Sequence, residues 1–164
     1  MDQIMSIKVG EKIPSLTLQH KTDDGVTDIS TEEIFVGKKV VLFALPGAFT
    51  PTCSAAHLPG YVDRADEFKE KGIDSIVCLS VNDAHVMKAW GENHNVEDRV
   101  LMIADGSAHF TRAVGLEVDL STRGMGLRSQ RYAIVVNDCI VELLNLEAPT
   151  KFEVSDAETI LSSL

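Results

Sequence analysis

The sequence predicts a layered α/β fold in which a central mixed β-sheet is flanked by helices. The first supporting observation is a continuous apolar run at residues 40–45 (VVLFAL), typical of a strand buried on both faces. The second is a helix-spaced apolar series that follows it, and the third is another apolar run, SIVCLSV, at residues 75–81. This βαβ arrangement predicts that the two strands are parallel and adjacent.

The segment between these two strands has the pattern of one amphipathic helix. Its apolar side chains recur at intervals of three or four residues, at Leu58, Tyr61, Val62, Ala65 and Phe68. Gly72 gives the stop signal at the end of the helix. Pro59 lies inside the helix and is predicted to kink it or split off its first turn, because proline has no N–H and crowds the preceding turn.

Strands and helices continue to alternate after the second strand. Asp83 is predicted to cap a helix, residues 100–105 (VLMIAD) to form a third strand, and GSAHFTRAVG to form a short helix. A hairpin is predicted from YAIVV, the Asn137-Asp138 turn and CIVELLN, with DAETILSSL as the last helix.

A smaller N-terminal β-hairpin is predicted from SLTLQH, the DDG turn and VTDIST. A parallel βαβ unit, followed by an antiparallel hairpin and a final helix, is typical of a thioredoxin-like fold. The chain is long enough for one well-buried core and short for two. We therefore predict a single thioredoxin-like domain over residues 1–164.

Charge and hydropathy restrict the partners and the location. The formal net charge of -10 at pH 7 disfavours nucleic acids and anionic membrane surfaces, because phosphate binding needs clustered Lys and Arg. The N-terminal MDQIMSIKVGEK has no apolar stretch of signal-peptide length, and no segment approaches the length of a membrane span. We therefore expect a soluble cytoplasmic protein.

The three cysteines, Cys53, Cys78 and Cys139, do not predict a secreted disulfide framework, because their number is odd. The sequence contains no CxxC, which disfavours a dithiol redox motif and most zinc sites. Its histidines do not fall at tight metal-ligand spacings either. We therefore predict no metal and no cofactor, and thiols that are either inert core residues or individually reactive.

The uncharged stretch PGAFTPTCS follows the first core strand directly and places Cys53 in the first turn of the next helix. Thr50 is suited to the N-cap, and Pro51 fits the first helical position, where its missing N–H costs nothing. Free backbone amides and the helix dipole there favour a thiolate. The alternative is that Cys53 is a small buried residue, which is common for free cysteines.

Pro46-x-x-x-Thr50-x-x-Cys53 resembles the active-site signature of the peroxiredoxins, which are thiol peroxidases. The wider run PGAFTPTCSAAHLPGYV is similar to the type II, atypical two-cysteine subgroup, and so are CLSVNDAHVMKAW and LRSQRYAIVV. The resemblance covers nearly the whole chain. It implies an oxidoreductase that reduces hydrogen peroxide and small organic hydroperoxides through a cysteine sulfenic acid, in antioxidant defence and redox homeostasis.

The resemblance also implies roles for individual residues. Cys53 would be the peroxidatic nucleophile, with Thr50 donating toward the peroxide and Pro46 shielding the sulfur from water. An ordinary cysteine is only slightly ionised at pH 7, and complete ionisation would raise its reaction rate only about 30-fold. A peroxidase needs a larger gain, so positive charge must also stabilise the transition state. Arg131 matches the active-site arginine of the family. Arg128 is expected to share this role or, preferably, to form a surface salt bridge.

The route by which the sulfenic acid is reduced stays open at this level. Cys78 is the leading candidate for a resolving cysteine, because some type II members resemble this chain in having a second thiol within CLSVND, but it also suits a buried strand. A later resolving cysteine known in animal members is absent from KFEVS at residues 151–155, and Cys139 is expected to be structural. The reductant would be glutathione with glutaredoxin or, if Cys78 forms a disulfide, thioredoxin.

Three further hypotheses accompany this assignment. His57 lies four residues after Cys53 and is expected on the helix surface or at a partner interface, although it could instead serve a cysteine–histidine hydrolase. A redox-signalling protein, whose cysteine is oxidised without turnover, is the other rival. The resemblance also implies a homodimer that packs near the active-site helices.

Overall fold

The computed structural model describes residues 6–164; residues 1–5, part of the stretch searched for a signal peptide, lie outside that range. The strands are β1 (Thr17–Thr22), β2 (Gly25–Ser30), β3 (Lys39–Leu45), β4 (Ser75–Ser80), β5 (Leu101–Ala104), β6 (Glu117–Leu120), β7 (Gly126–Ser129), β8 (Tyr132–Asn137) and β9 (Ile140–Leu146). The α-helices are α1 (Thr31–Phe35), α2 (Leu58–Asp63), α3 (Ala65–Glu70), α4 (Ala84–Asn93), α5 (His109–Ala113) and α6 (Ala157–Ser162).

Seven strands form one mixed sheet in the order β2-β1-β5-β4-β3-β8-β9. Its centre is parallel, because β4 pairs with β3 on one side and with β5 on the other. At one edge β8 and β9 continue the sheet with antiparallel pairing, and at the other edge stands the antiparallel hairpin β1–β2. This topology confirms the predicted mixed sheet, the βαβ unit and the N-terminal hairpin.

The core lies on both faces of the sheet, as expected for a central strand such as β3. Val41, Phe43 and Leu45 belong to the hydrophobic cluster on one face, and the alternate residues of β3 belong to the other cluster. The first cluster includes side chains of α2, α3, α4 and α6. Among residues 6–164 there is no helix with the length and apolar character needed to cross a bilayer.

The segment predicted as a single helix contains three pieces. A π-helical turn, Cys53–His57, precedes α2. The Leu58 N–H donates to the carbonyl of Cys53, and this bond across five residues is the one that defines a π-helix. Pro59 therefore falls in the first turn of α2, where its missing N–H breaks no bond. The backbone leaves helical geometry at Arg64 (φ -106°), and α3 follows.

The predicted cap of α4 is present, and the predicted β8–β9 turn is displaced by one residue. Asp83 caps α4 as predicted, because its carboxylate accepts from the Val86 N–H at 2.9 Å. The turn between β8 and β9 is centred on Asp138 and Cys139, one residue later than predicted, since these two residues have positive φ (46° and 71°). The two-stranded sheet β6–β7 was not predicted, because its strands are short and are separated by a glycine-containing turn.

Candidate active site

The sulfur of Cys53 lies just beyond the carboxyl end of β3. The chain leaves the strand at Leu45, passes through the turn at residues 46–50 and enters the helix, where the Ser54 N–H donates to the carbonyl of Thr50 at 2.9 Å. Cys53 is therefore in the first helical turn, as predicted, and its side chain is fully buried.

Thr50 adopts a different hydrogen bond from the predicted N-cap. Its hydroxyl donates to the carbonyl of Gly47 at 2.7 Å and accepts no bond from a turn amide. The N-cap interpretation is therefore wrong in its side-chain bond, because the hydroxyl closes the preceding turn instead. This bond fixes the side chain three residues before Cys53 and leaves the oxygen lone pairs without a donor from the turn.

Arg131 lies beside the cysteine although 78 residues separate them in the sequence. β8 pairs antiparallel with β3, with Tyr132 opposite Ala44, so the residue before β8 reaches the end of β3 where the Cys53 turn begins. The Nη2 of Arg131 donates to the Cys53 Sγ at 3.1 Å. Sheet pairing thus supplies the positive charge that the local sequence lacks.

His57 is fully buried and contacts the same arginine, so the expectation of a surface or interface residue is wrong. Arg131 Nη1 lies 2.6 Å from His57 Nδ1, and His57 Nε2 lies 3.1 Å from the carbonyl oxygen of Ser155. A guanidinium has only donors, so Nδ1 accepts and Nε2 carries the hydrogen that it donates to Ser155. The two bonds together fix one neutral tautomer of His57.

The electrostatics of His57 exclude it as a base for the cysteine. Burial, with a further contribution from the positive charge of Arg131, lowers the pKa of His57 from 6.5 to about 3. The nitrogen that could take a proton is already occupied by the guanidinium, not by Cys53. This arrangement disfavours the cysteine–histidine hydrolase, because that mechanism needs a basic nitrogen directed at the sulfur.

Aromatic side chains enclose this polar group. The Tyr61 hydroxyl donates to the same Ser155 carbonyl at 2.7 Å, and the Phe43 ring stacks on Tyr61 with centroids 4.1 Å apart. The Phe152 ring centroid is 5.0 Å from that of His57 and 5.7 Å from the guanidinium carbon of Arg131. Such walls limit water access and strengthen the charge interactions inside.

Arg128 holds the turn that precedes the cysteine. Its Nη1 donates to the carbonyl of Pro46 at 3.1 Å, and its Nε donates to the carbonyl of Met125 at 2.9 Å. A Cβ added to Gly47 would lie 2.7 Å from this Nη1, so a larger residue there would require the guanidinium to move. The predicted surface salt bridge of Arg128 is absent from residues 6–164, because its donors are used by backbone carbonyls.

Comparisons with known proteins establish the family of this chain. The sequence profile of the Redoxin family matches residues 8–161. Peroxiredoxin-2C of Arabidopsis thaliana is 46% identical over 159 residues, which cover 96% of this chain and 98% of the relative. The chain belongs to the peroxiredoxin family. Its relatives are consistent with the type II subgroup that the sequence resembles.

Two more peroxiredoxins are similar over most of this chain. Peroxiredoxin-2E of Arabidopsis thaliana, a chloroplastic protein, is 47% identical over 164 residues, covering 97% of this chain and 70% of the relative. The crystal structure of reduced Prx3 of Vibrio vulnificus in complex with H2O2 has a TM-score of 0.92 at 57% identity, covering 96% of this chain and 98% of that chain. The chain is thus a thiol-dependent peroxidase with antioxidant function, which reduces a hydroperoxide and is re-reduced by a thiol.

The other two cysteines of this peroxiredoxin are also free thiols. Cys78 is fully buried in β4, opposite Phe43 of β3. Burial, together with the negative charge of Cys53, raises the pKa of the Cys78 thiol well above its ordinary value. Cys139 stands in the β8–β9 turn, at the other end of β8 from Arg131. The sequence-based hypothesis that Cys78 resolves the sulfenic acid stays a prediction.

Sequence reasoning missed several residues that organise this peroxiredoxin site. Asn82 is one of them: its Oδ1 accepts from the Ala48 N–H at 2.9 Å and from the Ser80 hydroxyl, so the end of β4 holds the turn before Cys53. Ser155 is another, because it contributes a backbone carbonyl, which no side-chain pattern reveals. For His57, the spacing of four residues from Cys53 was the one available signal that it belongs to the site, but this spacing did not show which side of the helix is buried.

Proposed function

We propose that this peroxiredoxin reduces hydrogen peroxide and small organic hydroperoxides, with Cys53 as the peroxidatic nucleophile. The contact that carries the proposal is the 3.1 Å hydrogen bond from Arg131 Nη2 to the Cys53 Sγ. A guanidinium at this distance stabilises the thiolate and faces the oxygens that approach it. The sulfur is fully buried, so we expect small hydroperoxides to reach it more readily than bulky ones.

The proposed reaction begins with attack of the Cys53 thiolate on the nearer oxygen of the peroxide. The S–O bond forms as the O–O bond breaks, so sulfur is oxidised to a sulfenic acid. The other oxygen leaves with the electron pair of the broken bond and takes a proton from solvent, giving water or an alcohol. Negative charge develops on that oxygen, and Arg131 is the positive group available to stabilise it.

Thr50 and Pro46 are proposed to complete the site. The Thr50 hydroxyl is anchored on the Gly47 carbonyl and has free lone pairs toward a peroxide O–H. Rotation of the same hydroxyl makes it a donor for the peroxide oxygen. Pro46 is half-buried at the start of the turn, where its ring excludes water and its carbonyl is fixed by Arg128. Both roles position the substrate, whereas Cys53 performs the chemistry.

We propose glutathione with glutaredoxin as the physiological reductant. A glutathione thiolate would attack the sulfenic sulfur of Cys53, releasing water and forming a mixed disulfide, which a second thiol then reduces. The support is the burial of Cys78: its side chain is fully buried, and this burial raises the pKa of the thiol, which disfavours the thiolate that would attack Cys53. Thioredoxin is the alternative reductant, and it requires a Cys53–Cys78 disulfide formed after local opening of the π-helical turn.

The electron-donor assay separates these routes. Peroxide consumption is followed with glutathione plus glutaredoxin and with thioredoxin plus its reductase, in wild type and Cys78→Ser, with Cys139→Ser as the matched control. Glutaredoxin-dependent turnover that survives Cys78→Ser supports the proposal. Turnover with thioredoxin alone, lost in Cys78→Ser, overturns it. Consumption of one equivalent of peroxide with every donor would instead support the redox-signalling alternative, and loss of all consumption in Cys53→Ser tests the nucleophile.

We also propose a homodimer that packs near the active-site helix. The surface there is uncharged in a chain of net charge -10. Its exposed side chains are Phe49, Pro51, Thr52, Ala55 and Ala56. Sedimentation of wild type and Phe49→Asp tests this proposal, with Val9→Asp as the control at an exposed apolar residue outside the active-site turn; a wild-type monomer rejects it.

A cytoplasmic location is proposed from the thiol state. All three cysteines are free, which suits a reducing compartment. Fractionation of cells that express the full chain tests this location, and recovery with an organelle would reject it.

A further inference from the structure

A buried carboxylate lies behind the arginine–histidine pair. Glu147 directly follows β9, and only 5% of its surface is exposed. Its oxygens accept from the backbone N–H groups of Glu153 (2.9 Å), Val154 (2.8 Å) and Ser155 (2.8 Å), and from the Ser155 hydroxyl (2.7 Å). None of the ion pairs found in residues 6–164 includes Glu147. Within this part of the chain, hydrogen-bond donors rather than a cationic side chain satisfy the carboxylate.

These bonds close the loop of residues 147–155 onto its own first residue. The loop is further tied by Asn145 Nδ2, which donates to the carbonyl of Val154 at 2.8 Å. Four donors converge on one carboxylate, so the backbone of Ser155 has a single defined position. All four donors reach Oε2, and the Glu153 N–H reaches Oε1 as well, at 2.9 Å. A neutral amide would keep an oxygen at the Oε2 position, but it would set its NH2 group against the Glu153 N–H and remove the charge that strengthens the other bonds.

The position of Ser155 matters because its carbonyl accepts the hydrogen bond from His57 Nε2. That bond keeps the proton on Nε2 and leaves Nδ1 free to accept from Arg131. The opposite tautomer would place an N–H against the guanidinium, donor against donor. The Arg131 orientation toward the Cys53 Sγ therefore depends on where the Ser155 carbonyl stands.

We infer that Glu147 is a positioning residue for the peroxidatic site, acting through Ser155 and His57 on Arg131. The chain of contacts is continuous: carboxylate to Ser155 backbone, Ser155 carbonyl to His57, and His57 to Arg131. Glu147 itself touches neither the sulfur nor the substrate. The inference rests on the proposed function, because it assigns to Arg131 the task of stabilising the Cys53 thiolate.

The test compares Glu147→Gln with wild type and with Glu142→Gln, an exposed glutamate on β9 that undergoes the same chemical change. The rate of the Cys53 reaction with hydrogen peroxide is measured against pH by stopped-flow fluorescence of Trp90, the only tryptophan. We expect Glu147→Gln to slow the reaction about tenfold at neutral pH and to displace its pH profile toward higher pH. Glu142→Gln is expected to match wild type.

Two further measurements separate positioning from plain stabilisation. In an Arg131→Met background, Glu147→Gln is expected to have no additional effect on the rate, because the contact chain ends at that arginine. Imidazole nitrogen NMR is expected to show a single Nε2–H tautomer of His57 in wild type and a mixture in the variant. Glu147→Asp, which keeps the charge but shortens the side chain, is used if Glu147→Gln does not fold.

The outcomes are distinguishable. A folded Glu147 variant that is less stable, but has the wild-type rate, pH profile and His57 tautomer, overturns the inference. Equal effects of Glu147→Gln with and without Arg131 also overturn it. Absence of peroxide reaction in wild type would contradict the proposed function instead, and would do so before any variant is compared.

Discussion

Arg131 Nη1 lies 2.6 Å from the Nδ1 of His57, and the second amino group of the same guanidinium lies 3.1 Å from the Cys53 Sγ. The histidine accepts from the arginine, so it orients a cation rather than removing a proton. A residue pair that resembles a hydrolase dyad in sequence thus becomes part of an electrostatic site. The distinction rests on which ring nitrogen carries the hydrogen.

Replacing Arg131 tests the electrostatic part of the proposal. Arg131→Met is expected to slow the reaction of Cys53 with hydrogen peroxide by about 100-fold or more, because the donor that faces the sulfur is lost. Arg131→Lys keeps a positive charge and is therefore expected to recover part of the rate. The recovery is expected to be incomplete, because a single ammonium group cannot bond His57 and the sulfur at once as the planar guanidinium does. Arg123→Met, at an exposed arginine, serves as the control, and a wild-type rate in Arg131→Met would contradict the site.

His57 gives a prediction about acid stability. Its pKa is 6.5 in the unfolded chain and about 3 in the folded one, so the unfolded state binds more protons between these pH values. The free energy of unfolding therefore falls as the pH drops through this window. In His57→Gln that dependence is expected to be weaker, as measured by denaturant titration at neutral pH and at about pH 5. His109→Gln, at an exposed histidine, is expected to retain the wild-type slope; a wild-type slope in His57→Gln would show that this residue does not carry the effect.

Gly47 gives a prediction about the turn before the cysteine. Gly47→Ala is expected to displace the Arg128 guanidinium, since the new Cβ would lie 2.7 Å from its Nη1 and 3.3 Å from the Thr50 Cγ2. Loss of stability and a slower peroxide reaction are both expected. In an Arg128→Ala background the same substitution is expected to cost less, because the nearest atom is gone.

The matched control for Gly47 is Gly60→Ala in α2, whose new Cβ would meet only the Cβ of Ala157 at an ordinary 3.8 Å. Unfolding free energies and peroxide rates are compared across the four Gly47 and Arg128 combinations and this control. Additive effects of the two substitutions would show that the close approach does not couple them.

Ser54 links the active-site helix to the only tryptophan. Its hydroxyl accepts from the Trp90 indole N–H at 3.0 Å, and Trp90 is fully buried. Ser54→Ala leaves that donor without its partner, with an expected loss of about 1–3 kcal/mol in unfolding free energy. A shifted Trp90 emission spectrum is expected as well. Ser54→Thr keeps a hydroxyl and is expected to retain more of the stability; equal losses in both variants would point to packing instead.

The regular elements could be predicted because their signals are local. The apolar run that became β3 and the Asp83 cap of α4 both depend on residues close in sequence. The π-helical turn could not be predicted in the same way. The apolar spacing around Pro59 fits an α-helix as well as a π-helix. Only the backbone hydrogen bonds of the folded chain show that this turn contains one residue more than an α-helical turn.

The residues of the candidate site could be predicted only in part, because only some of the signals that mark them are local in the sequence. Cys53 and Thr50 are three residues apart, so one motif reveals both, and resemblance to the family supplied Arg131. The interpretations of His57 and Arg128 as surface residues were wrong, since burial and bonding to distant backbone carbonyls leave no trace in local spacing. The pairing of β8 with β3, which is equally remote in sequence, placed Arg131 beside Cys53.

The mixed α/β class, the family and the placement of a cysteine at the amino end of a helix could all be inferred from the order of the residues. Those properties follow from the periodicity of apolar residues and from a short motif, both of which act over a few residues. The orientation of Arg131, the tautomer of His57 and the position of the Ser155 carbonyl depend instead on how the folded segments meet. Hydrogen bonds between segments far apart in the chain are directional, and their partners exist only after the chain has folded.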